Sequence, residues 1–142
     1  EVCLSSLIEQ LPETENRIQL SEYKDKLGMP RPQISYKIGD YEHKAMQRAR
    51  AVHEFMFGSL GVTQFFHRDY AESAAHIMGT VRMGSDAKTS VVDSSLRAHD
   101  HPNLYVLGSG TFPTSGASNP TLTIAALSLR AVGDIAKQCV LV

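Results

Sequence analysis

The sequence predicts an α+β fold, in which short strands are interleaved with two long helices. Apolar and polar residues alternate through residues 32–39, which is typical of a half-buried strand. Apolar residues recur at spacings of three and four through residues 40–60, which is typical of an amphipathic helix. Residues 121–138 are rich in alanine and leucine and contain no proline, which predicts a second helix. A fragment of a larger α/β protein would show the same interleaving.

Five segments are predicted as strands because apolar residues cluster between turn-forming residues. They are residues 3–11, 17–21, 32–39, 61–68 and 103–110. Asp40 is predicted as the N-cap of the first helix, and Gly58 or Gly61 as the residue that ends it.

The region between residues 74 and 103 has a different character. Residues 75–84 are rich in small side chains, and Gly79 and Gly84 indicate a close approach between backbone segments. Residues 90–103 are predicted as mostly loop, with a turn from Asp100 to Asn103.

The composition excludes several classes of partner. The chain has 142 residues and a net charge of −1 with scattered basic residues, so neither nucleic acid nor an anionic membrane is an expected partner. No apolar run approaches the roughly 20 residues of a membrane span, and no signal peptide is recognised. Cys3 and Cys139 lie at opposite ends, so neither a disulfide framework nor a zinc site is indicated. The sequence leaves the cellular compartment open, and its start at Glu1 indicates a piece of something longer.

His76 is the first candidate for chemistry. It lies among small apolar residues, where a histidine is more often part of the core. The alternative is a general base, because imidazole, with an unperturbed pKa of ~6.5, accepts a hydroxyl proton near neutrality.

Asn119 is the second candidate. An Asn-Pro pair at the start of an apolar stretch is what an N-cap and a first helical residue look like, so capping explains Asn119 and Pro120 locally. A helix N-terminus also has unpaired N–H groups and a partial positive charge of about half an elementary unit, which suits an electron-rich cofactor. A side chain turned back onto the N–H of Thr121 or Leu122 indicates a cap, and one pointing beside His76 indicates catalysis.

Two other interpretations are weak. His99 and His101 flank Asp100, but no third metal ligand stands at a recognisable spacing, and a solvated turn is favoured. Ser115 lacks the G-x-S-x-G pattern of a nucleophile elbow, because position 113 is proline and position 117 is alanine.

Three segments of the second half, taken in order, resemble the C-terminal part of the glucose–methanol–choline (GMC) oxidoreductases, flavoenzymes that oxidise alcohols and sugars. They are AHIMGTVRMG (75–84), SVVDSSLRAHDHPNLYVLGSG (90–110) and FPTSGASNPTLTIAALSLRAVGDI (112–135). Residues 15–39 are similar to the preceding region of sugar-oxidising members, the pyranose 2-oxidase and gluconate dehydrogenase group.

The resemblance implies roles for particular residues. His76 matches the proton-accepting histidine of the family's His-x-x-Gly-Thr block, and Asn119 matches the second active-site position, which is His or Asn in the family. Gly108 and Ser109 match a turn that passes close to FAD, although many members have Asp-Gly-Ser there. Asn119, Pro120 and Thr121 match the loop and helix start beside the flavin ring.

The resemblance also implies a division of the chain. Residues 1–74 are expected to end a substrate-binding domain with a backing helix, and residues 75–142 to return to the FAD domain with a strand and the last helix. No G-x-G-x-x-G turn occurs, so the main FAD-binding half is expected upstream, and the fragment alone is expected to be inactive and to bind no FAD. We expect exposed apolar surface, which dimerisation would be one way to cover.

The expected activity is oxidation of an alcohol group of a sugar or polyol, and two alternatives stay open. One is a family member acting on choline, a sterol or an aryl alcohol. The other is a non-catalytic binding or assembly module in which His76 and Asn119 are structural. The sequence does not identify the electron acceptor.

Overall fold

The chain is described by a computed structural model that covers residues 2–68 and 70–139, with only the backbone at residue 139. It contains two antiparallel strands, two long helices and one short 3-10 turn. In chain order these are β1 (Arg17–Lys24), β2 (Pro30–Ser35), α1 (Asp40–Ser59), the 3-10 turn (Ser109–Thr111) and α2 (Thr121–Cys139). The α+β class predicted from the sequence is therefore confirmed.

Strands β1 and β2 form an antiparallel hairpin in which Ile18 pairs with Ile34. The side chain of Asp25 holds the turn by accepting hydrogen bonds from the N–H groups of Leu27 and Met29, at 2.8 and 2.9 Å. The side chains on both faces of the hairpin are largely exposed. The expectation that α1 backs these strands is therefore wrong, because no helix covers either face within the described part of the chain.

Helix α1 begins and ends as its sequence dictates, with one shift at the start. The N-cap is Gly39, and the predicted cap, Asp40, is the first helical residue. At the other end Gly61 has a φ of +78° and donates a hydrogen bond to the carbonyl of Gly58 at 3.0 Å. Val62 reaches back to the carbonyl of Phe57, which completes a Schellman motif. Gly61 is therefore the predicted glycine that ends the helix.

Residues 3–11 are not a strand, because their polar groups bond to α1 instead of to a neighbouring strand. The Leu11 N–H donates to the Glu42 carboxylate at 2.8 Å, and the Ser6 hydroxyl lies 2.8 Å from the His53 ring. Glu42 also accepts from the N–H of Gly39 at 2.9 Å and is only 6% exposed.

The Glu42 carboxylate stays charged despite this position. Burial works to raise the pKa of Glu42, but hydrogen bonds from the backbone N–H groups of Leu11, Glu42 itself and Gly39 outweigh that effect. The net result is a pKa below its ordinary value of 4.5. Glu42 thus fastens the segment before the hairpin to the first turn of α1.

Residues 61–68 are not a strand either. They run back along α1, where Phe65 contacts Phe57 with ring centroids 6.2 Å apart, and the His67 ring lies 2.7 Å from the Glu54 carboxylate. Side-chain contacts with a helix replace the ladder of hydrogen bonds that a strand requires.

The second half has a small core of its own. Val92 and Leu96, in loops, and Ala131, on α2, are fully buried, and Met83, Val106 and Leu127 pack around them. The loops are joined by isolated bridges between Met83 and Val92, Val92 and Ala98, and Arg97 and Tyr105.

The strand predicted at residues 103–110 does not form, and one isolated bridge occurs in its place. Tyr105 pairs with Arg97, and the chain then tightens into the 3-10 turn. A turn does occur, where the Leu104 N–H donates to the His101 carbonyl at 3.0 Å, one residue later than predicted. No helix in the described part of the chain is long and apolar enough to cross a membrane.

Candidate active site

The His-x-x-Gly-Thr segment and the turn at residues 108–112 lie side by side, although about thirty residues separate them in the sequence. Backbone hydrogen bonds join them at two points. The Val81 N–H donates to the Gly110 carbonyl at 2.9 Å, and the Met83 N–H donates to the Thr111 carbonyl at 2.8 Å. The fold thus brings two of the three sequence motifs together.

The turn itself is held by its own hydroxyl groups. The Thr111 hydroxyl donates to the Gly108 carbonyl at 2.8 Å, and Thr111 is fully buried. The Ser109 hydroxyl donates to the carbonyl of Ile77 at 2.7 Å, next to His76. Ser109 therefore fixes the backbone that carries the histidine.

Glycine is needed where these two segments meet. A Cβ on Gly110 would lie 2.8 Å from the Thr80 hydroxyl oxygen and 3.0 Å from a methyl group of Val81. Gly79 has a φ of +79°, and its Cβ would face the carbonyl of Phe112 at 3.5 Å. For Gly79, this close approach is what the glycines of residues 75–84 predicted.

His76 is half-buried and makes no hydrogen bond with any described residue. Ala75, before it, has a φ of +57°, a left-handed conformation that is uncommon for a residue other than glycine. The imidazole nitrogens are therefore not occupied by hydrogen bonds to described residues. The role of His76 as a base stays a prediction.

Helix α2 starts one residue later than the Asn-Pro pattern predicts. Its first hydrogen bond runs from the Ile124 N–H to the Pro120 carbonyl at 2.9 Å, so Pro120 is at the N-cap position and Thr121 is the first helical residue. Asn119 is exposed, and its side chain makes no hydrogen bond with any described residue.

The predicted Asn119 cap is therefore not formed, and no hydrogen bond joins Asn119 to His76. The N–H groups of Thr121, Leu122 and Thr123 have no acceptor within the described ranges. The positive end of α2 is consequently open to a ligand or to another part of the protein.

Polar contacts anchor α2 against the loop at residues 93–97. The Ser95 hydroxyl donates to the Asp134 carboxylate at 2.7 Å, and the Arg130 guanidinium donates to the Ser94 carbonyl. The hydrogen bond from Ser95, helped by the charge of Lys137, lowers the pKa of Asp134. The anchored helix fixes where its N-terminus lies relative to the loops.

The weak interpretations find no support. His99 is bonded through its Nε2 to the Ser90 hydroxyl at 2.9 Å, and no cluster of metal-ligating side chains occurs among the described residues. The Ser115 hydroxyl donates to the carbonyl of Gly116 at 2.9 Å. It is not paired with a histidine as an activated nucleophile would be.

The sequence reasoning missed Gly110 and Thr111 as parts of the site. The Ser-Gly-Thr run at the end of an apolar segment is the signal that marks them, since Gly permits close contact and Thr can bond to a carbonyl one turn back.

The comparisons with known proteins agree with these motifs. Residues 12–128 match the C-terminal domain model of the GMC oxidoreductases. The chain is 42% identical to the fructose dehydrogenase large subunit of Gluconobacter japonicus, over 89% of this chain and 24% of that protein. It is 34% identical to paromamine 6'-oxidase of Streptomyces fradiae, over 99% of this chain and 26% of that protein. It is 36% identical to pyranose 2-oxidase of Tricholoma matsutake, over 75% of this chain and 19% of that protein.

The chain belongs to the GMC oxidoreductase family, whose members use FAD to oxidise CH–OH groups. It spans about a quarter of the length of the first relatives above.

Two features of the described residues would suit a part of FAD. The open N–H groups of α2 suit an electron-rich ring edge, and Gly108, with a φ of +109°, has no atom within 4 Å of the position of a Cβ. The 142 residues contain no G-x-G-x-x-G turn for the ADP part.

Proposed function

We propose that this chain is the active-site portion of a longer FAD-dependent oxidoreductase that oxidises an alcohol group of a sugar or polyol. The observation that carries the proposal is the pairing of the His76 segment with the turn at residues 108–112, beside the start of α2 in the sequence. The substrate class is supported by relatives whose names refer to fructose, paromamine and pyranose.

In this proposal His76 accepts the proton of the substrate hydroxyl. Its ring is free of hydrogen bonds to described residues, so it can bond to a substrate, and Ser109 holds the adjacent backbone in place. FAD, when bound, supplies the acceptor for the hydride that leaves the carbon bearing that hydroxyl. The substrate CH–OH thus becomes a carbonyl.

Asn119 orients the substrate. An amide cannot act as a base, but its NH₂ group can donate a hydrogen bond to the substrate oxygen. The side chain is exposed and unbonded, which leaves it available for that contact. The backbone of Gly108, Ser109, Pro120 and Thr121 would lie against the flavin, where the N-terminus of α2 favours negative charge.

The decisive experiment is anaerobic flavin reduction by the full-length protein and its His76→Gln variant. We expect the rate constant for reduction to fall by about 10²–10⁴-fold, with the flavin absorbance retained. His101→Gln is the matched control, because His101 is an exposed histidine in a turn of the same half. An unchanged reduction rate in His76→Gln would favour the non-catalytic module.

The substrate class is tested separately with the wild-type protein. A panel of fructose, pyranose sugars, paromamine, choline, a sterol and an aryl alcohol is mixed with the oxidised enzyme without oxygen. We expect the sugars or the aminoglycoside to bleach the flavin fastest. Faster reduction by choline, the sterol or the aryl alcohol would reject the sugar assignment while keeping the family chemistry.

The missing ADP site gives a further test. We expect the 142-residue chain alone to bind no FAD, because it lacks the dinucleotide turn. A stoichiometric flavin spectrum in the purified chain would contradict this.

A further inference from the structure

A small polar cavity lies beside the His-x-x-Gly-Thr segment. Its volume is about 200 Å³, and its lining includes Thr80, Arg82, Lys88, Thr89 and Ser90. Sites for drug-sized ligands usually measure about 300–1,000 Å³ and are mostly apolar. This cavity, which we call the Arg82–Lys88 cavity, is therefore suited to a small polar group instead of a whole sugar or cofactor.

Two basic residues, Arg82 and Lys88, line the cavity, and neither forms an ion pair with an acidic side chain among the described residues. The Arg82 Nε donates to the Thr89 carbonyl at 2.7 Å, which holds the guanidinium in the wall. Its other N–H groups have no acceptor within residues 2–68 and 70–139. The Lys88 ammonium likewise has no ion-pair partner in those ranges. Both residues are exposed to solvent, and two basic residues that line one small cavity favour an anion there over a cation.

The loop that presents these cations is held in a fixed shape. The Val91 N–H donates to the Arg82 carbonyl at 2.9 Å, and this bond closes the loop at its base. The Ser90 hydroxyl donates to the Asp86 carbonyl at 2.6 Å, and the Asp86 carboxylate accepts from the Lys88 N–H at 2.9 Å.

Asp86, the acidic residue of this loop, is thus engaged with the loop backbone and does not line the cavity. A binding site that is already shaped loses less entropy when its ligand enters.

We propose that the Arg82–Lys88 cavity binds a small oxyanion, with Arg82 and Lys88 supplying charge and Thr80 supplying a hydroxyl donor. A guanidinium presents several N–H groups in one plane, which matches the oxygens of a phosphate or carboxylate. The anion is either a free ion or an acidic group carried by a substrate. The proposal rests on the charges and shape of the cavity and is independent of the reaction assigned above.

The test uses inorganic phosphate as the probe and the full-length protein. Binding is measured from ³¹P line broadening and from the thermal midpoint, in phosphate and in chloride of equal ionic strength. We expect phosphate to raise the midpoint and Lys88→Gln to weaken phosphate binding by about tenfold, because one of two charges is lost. Lys88→Arg should restore binding.

Lys26→Gln is the matched control, because Lys26 is an exposed lysine in the hairpin turn, and it should bind phosphate as the wild type does. Phosphate that acts no differently from chloride, or equal binding by wild type and Lys88→Gln, would overturn the proposal. Lys88 is chosen over Arg82 because its side chain makes no hydrogen bond within the described chain, so its loss leaves the fold intact.

Kinetics with a neutral sugar and the corresponding sugar acid distinguish the two sources of the anion. If phosphate and Lys88→Gln both raise KM for the acid only, the cavity takes an acidic group of the substrate. If phosphate binds and KM is unchanged for both, the site takes a free ion. Either result supports an oxyanion site, and because binding is measured without turnover, its failure is separate from any failure of the proposed reaction.

Discussion

The two halves of the described chain differ in how they are held together. The buried hydrophobic residues all lie after residue 75, whereas the buried residue of the first half is a carboxylate, Glu42. The buried hydrophobic residues of the second half are Val92, Leu96, Ala98, Phe112 and Ala131. The half that carries His76 and Asn119 is packed by its own side chains, and the first half is joined by hydrogen bonds across its surface. The candidate site therefore lies in the half that has its own core.

The hairpin of the first half exposes its apolar side chains because no further strand or helix among the described residues covers it. Leu20 is 78% and Ile34 is 70% exposed, on a hairpin of only two strands. An isolated two-stranded hairpin is marginally stable and needs further strands or a helix against it. Helix α2 also presents Leu122 and Leu129, 83% and 74% exposed, away from the local core. These exposed apolar surfaces match the expectation stated from the sequence, and no described residue covers them.

The largest loss of stability is expected from a substitution in the core of the second half. Leu96→Ala should reduce the free energy of unfolding by about 2–5 kcal/mol, because Leu96 is fully buried and its loss leaves a cavity. Thermal or denaturant unfolding measures the change. Leu129→Ala, on the exposed face of α2, is the control, and a loss as large as that of Leu96→Ala in the isolated chain would contradict the assignment of the core.

Gly110→Ala tests the junction between the His76 segment and the turn. The added Cβ would have to displace Thr80 and Val81, at a cost of about 1–3 kcal/mol, and flavin reduction should slow because the histidine segment moves. Gly58→Ala is the control, since nothing lies within 4 Å of its Cβ position. Normal activity in Gly110→Ala would show that the close approach is unimportant.

Glu42→Gln tests the hydrogen bonds that hold the first half. A neutral amide has one acceptor oxygen and cannot receive both N–H groups as the carboxylate does, so we expect a loss of about 1–3 kcal/mol at pH 7.

The loss should depend on pH. Because the folded pKa of Glu42 is lowered, its stabilisation is complete above the unfolded value of about 4.5 and disappears as the pH falls through the folded value. The thermal midpoints of wild type and variant should therefore converge at low pH. A constant difference from pH 7 to pH 3 would rule out this role.

The smallest effect is expected on the hairpin. Leu20→Ala should change the stability of the 142-residue chain by less than about 0.5 kcal/mol, because the side chain is already exposed to water. The same substitution should cost more in the full-length protein if other strands cover the hairpin. Equal effects in both would indicate that this face stays exposed.

The helices and the hairpin followed approximately from the sequence because they depend on local rules. Apolar spacing predicted α1 and Gly61 ends it, whereas the half-buried strand predicted at residues 32–39 is only partly formed, because β2 runs from Pro30 to Ser35 and its side chains are largely exposed. The strands predicted at residues 3–11 and 61–68 do not form, because a strand needs a partner strand and these segments contact α1 instead. Apolar composition alone cannot show which element a segment contacts.

The family of this protein could be recognised without a structure, since the His-x-x-Gly-Thr and Asn-Pro-Thr motifs and their order are a property of the chain. The folded chain was needed to show that the His76 segment lies against Gly110 and Thr111, and that Asn119 does not cap α2. The contact with Gly110 and Thr111 depends on hydrogen bonds between segments about thirty residues apart, and local residue preferences carry no information about it. Arg82 and Lys88 likewise line one cavity only because the loop between them folds back on itself.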